Sequence, residues 1–328
     1  MSGQPQTGGG PRPVLALSGG IGGSKLALGL ARVLSPGALT VVANTGDDFE
    51  HLGLHISPDI DTVTYTLAGV QNPETGWGRA DETWSFMTAL HELGAETWFQ
   101  LGDRDLAVHV ERTRRLRAGV PLSEITADIG RSFGIASRIL PMTDRRVRTR
   151  VITQDGPLDF QRYFVEQRCA PAVTGFVFDG APEAKPHPDI LAMLCNPELR
   201  AVVICPSNPY ISVDPILALP GLWDALAACN APVIAVSPII GHEAVKGPTA
   251  KMMAELGYTV DVLTVAQHYR GLLDGLVIDT VDAAMAGRLH VPVVVCPTLM
   301  RSLSDREELA TAVLGFADRL GRCARRTG

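Results

Sequence analysis

At 328 residues with 46% apolar side chains, the chain is long enough for one large α/β domain or two modest ones and can fill a core. A formal net charge of −6 without a long basic run argues against a nucleic-acid partner. No stretch approaches the ~20 apolar residues of a membrane span, no apolar leader opens the chain, and Cys169, Cys195, Cys205, Cys229, Cys296 and Cys323 form no CxxC pair; the expectation is a soluble, cytoplasmic protein with reduced core thiols and no membrane contact.

Residues 1–12, mostly Gly, Pro, Gln and Ser, read as a disordered tail. Residues 13–320 read as a single α/β domain. Val14–Leu17 is a short buried strand, Ser18–Gly23 a turn, Ser24–Leu34 a helix and Leu39–Ala43 a second strand, which makes a βαβ unit. Asp59–Leu67 starts the next helix, with Pro58 just before it. Helical spacing over 80–94, 103–118 and 122–133 predicts a helical segment at about 80–135. From about 137 to 180 the pattern becomes that of a small antiparallel β insertion. Arg146–Thr153 alternates with period 2, and Leu158–Val165 and Val173–Phe178 follow as strands. The α/β rhythm then returns. Strands are expected at 202–205, 233–236, 276–278 and 291–295, and helices at 214–229, 248–256, 264–273 and 303–320. The fold class is therefore α/β: a Rossmann-like, mostly parallel sheet with helices on both faces.

Chemistry concentrates in loops that follow strands. Gly19, Gly20, Gly22 and Gly23 crowd the turn between the first strand and first helix, where backbone N–H groups and a helix N-terminus can hold a phosphate. The sequence is neither a Walker A loop nor GxGxxG, since Lys25 stands where the last glycine would be, and a tight turn with positive φ is the plain alternative. After the second strand, Asp47, Asp48, Asp59 and Asp61 fall within fifteen positions. Carboxylates past the carboxyl end of a strand supply hard oxygen ligands, which point to Mg²⁺ and a phosphorylated substrate. Asp47 and Asp61 are the expected metal pair and catalytic residues, Asp48 a brace for the loop, and Asp59 a helix N-cap. His51 and His55 read as loop residues. Pro206–Pro209 and Ser237–Pro248 follow later strands. Ser207 and Asn208 offer donors and acceptors there, and Lys246 suits a phosphate, against plain turns and a surface lysine. Asp103 and Arg104 read as a helix cap and a brace. Arg148 and Arg150 read as a solvated strand face that could alternatively serve an anionic substrate.

The motifs SGGIGGSKL, NTGDD, SPDIDTVTY, LGDRDLAVH, PSNPYIS, SPIIGHEAVKGP and LLDG occur in this order between about residues 14 and 301. Together they resemble the 2-phospho-L-lactate transferases of coenzyme F420 biosynthesis. The resemblance implies Mg²⁺-dependent transfer of a phospho-acid (lactyl, enolpyruvyl or glyceryl) from a GDP-activated donor to the ribityl hydroxyl of the deazaflavin Fo, with release of GMP, and a homodimer. It implies that Gly19–Gly23 and Ser207, Asn208 and Pro209 hold the guanosine nucleotide. Asp47 and Asp61 would meet the metal and the Fo hydroxyl, with one of them as base, and Gln100 would touch Fo. Asn44, Thr45, Asp48 and Lys246 complete the expected substrate-binding set. His242 and Cys296 depart from the family pattern and bear on the donor. A nucleotide-sugar-binding regulator of the related gluconeogenesis-factor family is the rival reading; a nicotinamide oxidoreductase is disfavoured by the failed GxGxxG.

Overall fold

The computed structural model describes residues 12–321. The expected tail, apart from Arg12, and Cys323 lie outside the described residues. Seven strands form the main sheet: β1 Val14–Ser18, β2 Leu39–Ala43, β3 Arg138–Pro141, β4 Ala201–Ile204, β5 Val233–Val236, β6 Gly275–Ile278 and β7 Val293–Val295. Their spatial order is 3-2-1-4-5-6-7, and every neighbouring pair is parallel. β1, β2, β4, β5 and β6 are buried along their whole length. Coverage on both faces explains why each is a continuous apolar run instead of an alternating one.

Two apolar layers enclose the sheet. One packs Leu26 and Leu30 of α1 (Gly20–Val33), Ile60 and Val63 of α2 (Pro58–Ala68) and Leu309 and Val313 of α11 (Leu303–Leu320) against Val41 and Val203. Gly29 lets α1 lie directly on the Arg306 backbone of α11; a Cβ there would collide with the Arg306 carbonyl. The opposite face carries α6 (Pro188–Leu194), α7 (Asp214–Leu217), α8 (Leu222–Ala228), α9 (Thr249–Glu255) and α10 (Val262–His268). Between β2 and β3 lie the hairpin Phe49–His51/Leu54–Ile56 and helices α3 (Ser85–Glu92), α4 (Asp103–Arg117) and α5 (Leu122–Ser132). After β3, strands Arg148–Thr153, Gly156–Asp159 and Val173–Asp179 form an antiparallel sheet of three.

Several boundaries differ from expectation. Residues 138–141 join the main sheet as its edge strand, so the insertion begins after them. The strand expected over 158–165 ends at Asp159 and gives way to a π-helical turn, Arg162–Glu166. Phe160 and Tyr163, three apart, both reach the core, a spacing that a helical turn satisfies and a strand does not. The helix expected at 264–273 starts at Val262 because the Asp261 carboxylate caps it, accepting the Thr264 N–H at 2.8 Å. α6, the 3₁₀ run Thr280–Arg288 and the Phe49–Ile56 hairpin carry no expectation from the sequence. The five described cysteines are free thiols, of which only Cys205 and Cys229 are buried. Among the described residues no single helix is long and apolar enough to cross a membrane.

Candidate functional site at the switch point of the sheet

The strand order reverses between β1 and β4: β1 leads outward to β2, β4 leads the other way to β5. Ligands of open α/β sheets bind in the crevice that this divergence leaves beyond the carboxyl ends of the strands. Here a cavity of about 510 Å³ opens at that point, with Gly19, Gly20 and Gly22 on one wall and Pro206, Ser207 and Asn208 on another.

The glycine segment is shorter as a loop than its sequence suggests. Gly19 alone precedes the helix, which begins at Gly20 with φ +64°. Gly22 and Gly23 are needed for close approach: a Cβ on Gly22 would strike the Pro206 carbonyl, and one on Gly23 would lie 2.5 Å from both Ser18 Oγ and Ser207 Oγ. Ser207 clamps the turn, with its hydroxyl donating to Gly19 O at 2.8 Å and accepting the Gly19 N–H at 3.1 Å. The first turn of α1 therefore sits on the β4 loop. α1 carries no acid of its own in its first turn, Gly20–Gly22, which lines the cavity with its Gly20 N–H taken by the Asp59 carboxylate. Lys25 and Lys246 line the same wall. Burial, with Arg306 and Lys246 nearby, pushes the Lys25 ammonium below its ordinary pKa, and its Nζ donates to Met300 O at 3.0 Å.

Four aspartates enter from the β2 side, and they divide into two sets. Asp47 and Asp59 meet at the Asn44 amide, whose Nδ2 donates to Asp47 Oδ1 at 2.9 Å and to Asp59 Oδ2 at 3.0 Å. Asp59 is not the helix cap. Ser57 holds that position, and Asp59 Oδ1 accepts the Gly20 N–H at 2.6 Å, which ties α2 to α1. Both residues are buried. Burial raises the pKa of each, Asp59 to about 6, and the charges of Asp59 and Asp48 add to the rise at Asp47. Arg148, from the antiparallel insertion, opposes that rise at Asp47 from a distance. Asp48 lies beneath the wall and braces the loop, accepting from Ser57 Oγ at 2.9 Å and contacting His55 Nε2 at 3.1 Å.

Asp61 lines the same cavity, but its hydrogen-bond partner is a cation. It takes the guanidinium of Arg112, from α4, on both oxygens, at 3.0 Å for Nη1. His109 lies beside them, its Nδ1 3.3 Å from Arg112 Nη1 and its Nε2 3.3 Å from Asp105 Oδ1. The Tyr65 hydroxyl donates to the same Asp105 oxygen. Burial alone would raise the Asp105 carboxyl; His109, Tyr65 and Arg112 together hold it below its usual range. Asp61, Asp105 and His109 form a donor set of the kind that can hold a divalent ion.

Of the residues singled out in the sequence, Gly19, Gly20, Gly22, Asp47, Asp59, Asp61, Gln100, Ser207, Asn208 and Lys246 line the cavity. Gly23, Asn44, Thr45, Asp48 and Pro209 are buried behind the wall and act through neighbours that line it. Arg150 is held by Asp159 and Asp179 on the insertion surface. His242 and Cys296 stand off the wall, which Ile240 and Thr298 reach instead. Lys25, Tyr65, Asp105, His109 and the aromatic residues Trp77, Phe99, Phe160 and Phe164 line the cavity without having been assigned a role in the sequence. The i, i+4, i+7 spacing of Asp105, His109 and Arg112 on one helix face is the signal that could have found the α4 group.

Comparison with known proteins gives a consistent result. Residues 14–290 match the family model of "2-phospho-L-lactate transferase CofD". The chain is 40% identical over 314 residues to a phosphoenolpyruvate transferase of Streptomyces coelicolor, covering 93% of this chain and 98% of that one. It is 36% identical over 311 residues to the 2-phospho-L-lactate transferase of Methanocaldococcus jannaschii, covering 94% and 99%. Among solved structures, a UPF0052-family protein of Bacillus halodurans superposes with a TM-score of 0.62 at 14% identity, covering 94% of this chain and all of that one, which shows the shared fold.

Proposed function

Since the chain belongs to the 2-phospho-L-lactate transferase family and is a transferase, we propose that it transfers a phospho-acid from a GDP-activated donor to the ribityl hydroxyl of Fo, releasing GMP, in coenzyme F420 biosynthesis. The enolpyruvyl donor comes first, after the relatives named phosphoenolpyruvate transferases. In this reading the first turn of α1, Lys25 and Lys246 receive the donor diphosphate. Ser207 and Asn208 meet the nucleotide. The flat deazaflavin lies against Tyr65, Trp77, Phe99 and Phe160, and Gln100 is within its subsite. The enzyme works in the cytoplasm as a homodimer.

The carboxylates that would hold the divalent ion, taken as Mg²⁺, are Asp47 and Asp59. They are paired on one amide, buried, and without an ion-pair partner among the described residues, whereas Asp61 already carries a guanidinium. When bound, the ion would neutralise the diphosphate and stabilise charge on the departing GMP. Asn44 holds the two carboxylates in register, and the Gly20 N–H fixes Asp59 against the helix that faces the diphosphate. Asp61, its oxygens set by Arg112, orients the attacking hydroxyl. Burying the reactants against the aromatic wall excludes water that would otherwise compete as nucleophile.

The observation that carries this reading is the Asp47–Asp59 pair, without an ion-pair partner among the described residues, beside the first turn of α1 at the switch point. The test is direct. The purified protein is mixed with Fo, Mg²⁺ and the enolpyruvyl, lactyl or glyceryl donor in turn, and GMP and the Fo conjugate are followed by chromatography and mass spectrometry. Fo-dependent GMP release with one donor is expected. Absence of a conjugate with all three would reject the transfer and leave the nucleotide-binding rival.

A further inference from the structure

Asp61, Asp105 and His109 place three metal-ligating atoms within 4.8 Å of one another on the cavity side of α2 and α4. Such a constellation, buried and lined by hard oxygens and an imidazole, is built like a second cation site. Its Asp61–His109 side is nevertheless taken by Arg112. The guanidinium is 1% exposed, forks onto both oxygens of Asp61 and abuts His109 Nδ1. Two nitrogens of the group are left over. Arg112 Nε is buried without a hydrogen-bond partner, and His109 Nε2, also buried, has only the Asp105 carboxylate 3.3 Å away and outside good hydrogen-bond geometry. His109 itself lines the cavity. The ring is thus packed for ligation and left half-satisfied by the cation it has.

We propose that Arg112 is a resident cation that occupies a latent second divalent-metal site and so keeps the enzyme at one exchangeable ion. A carboxylate pair needs positive charge to remain ionised in a buried wall. The Asp47–Asp59 pair has no cation in contact, Arg148 acting on Asp47 only from a distance, and takes its charge from solution; the Asp61–Asp105 pair has it built in. Arginine suits that role because its guanidinium stays charged and its planar fork matches one carboxylate bidentately, which fixes Asp61 in a way that a mobile ion would not. Arg112 does not line the cavity, so it is a positioning residue that acts through Asp61 and His109. The baseline of one ion rests on the metal reading proposed above; the gain of an ion on removing Arg112 does not.

The experiment counts Mn²⁺ bound per chain by electron paramagnetic resonance, with circular dichroism to monitor folding. The wild type and Arg112→Lys, which retains a positive charge, are expected to bind one ion. Arg112→Met and Arg112→Gln are expected to bind two, and Asp61→Asn/Arg112→Met one. Arg112→Gln guards against a Met variant that fails to fold, because its amide can still donate to Asp61. An unchanged count in whichever of these two folds overturns the proposal, as does loss of folding in both, which would make Arg112 a structural counter-ion only. Asp59→Asn separates the two readings: in the Arg112→Met background it lowers the expected count from two to one. If Asp59→Asn leaves the wild-type count at one, the Asp47–Asp59 assignment fails, while the extra ion in Arg112→Met still stands or falls by itself.

Discussion

The two aspartate pairs differ in where their neutralising charge comes from. Asp47 and Asp59 share one neutral amide, burial raises the proton affinity of both, and the charge of Asp59 adds to the rise at Asp47. Asp61 and Asp105, from the same region, are tied to a buried arginine, a histidine and a tyrosine. A pair with an internal counter-ion has its carboxylate oxygens fixed in place; a pair without one leaves them unpaired by any cation. Proximity in sequence conceals this difference, since Asp59 and Asp61 are two residues apart in one helical turn.

Removing Arg112 should strike the compensated pair hardest. Arg112→Met strands Asp61 in a buried wall, and a loss of about 3–5 kcal/mol of stability is expected, measured by urea denaturation without added metal. A loss below 1 kcal/mol would mean that the two pairs are not distinguished by compensation. Asp59→Asn should leave the fold intact but lower turnover on the order of 10²–10³-fold, as expected for loss of a group that positions charge in the transition state; steady-state GMP release checks this. Gly22→Ala probes the phosphate wall between the pairs. The added methyl meets the Pro206 carbonyl, so about 1–3 kcal/mol of stability should be lost, with a raised KM for the donor. The smallest effect is expected at Lys246, an exposed cation on the wall: Lys246→Ala should raise the donor KM roughly tenfold, the equivalent of one ordinary charged contact, and leave kcat nearly unchanged.

Much of the frame was legible in the sequence because buried parallel strands are continuous apolar runs. Leu39–Ala43 and Val233–Val236 have the bounds that their side chains suggest. The position of the aspartates beyond β2 was legible for the same reason. Which of them pair with each other was not. Asp61 meets Arg112 across 51 positions, through a contact between α2 and α4 that no local spacing specifies. Asp59 resembles a cap because acids favour first turns, yet its partner is the Gly20 N–H of another helix, 39 positions away. The glycines misled in a related way. They suggest an open phosphate loop, while Gly22 and Gly23 serve the close seating of α1 on Pro206 and Ser207. In each case the missing information was tertiary.

The central claim is that Asp59, and not Asp61, completes the ion site with Asp47. A Mg²⁺ titration of melting temperature in wild type, Asp59→Asn and Asp61→Asn tests it without any substrate. The account predicts that Mg²⁺ raises the melting temperature of the wild type and of Asp61→Asn, the latter from a lower baseline, and leaves Asp59→Asn unmoved. An Asp59→Asn protein that still responds to Mg²⁺, beside an Asp61→Asn protein that does not, would contradict it.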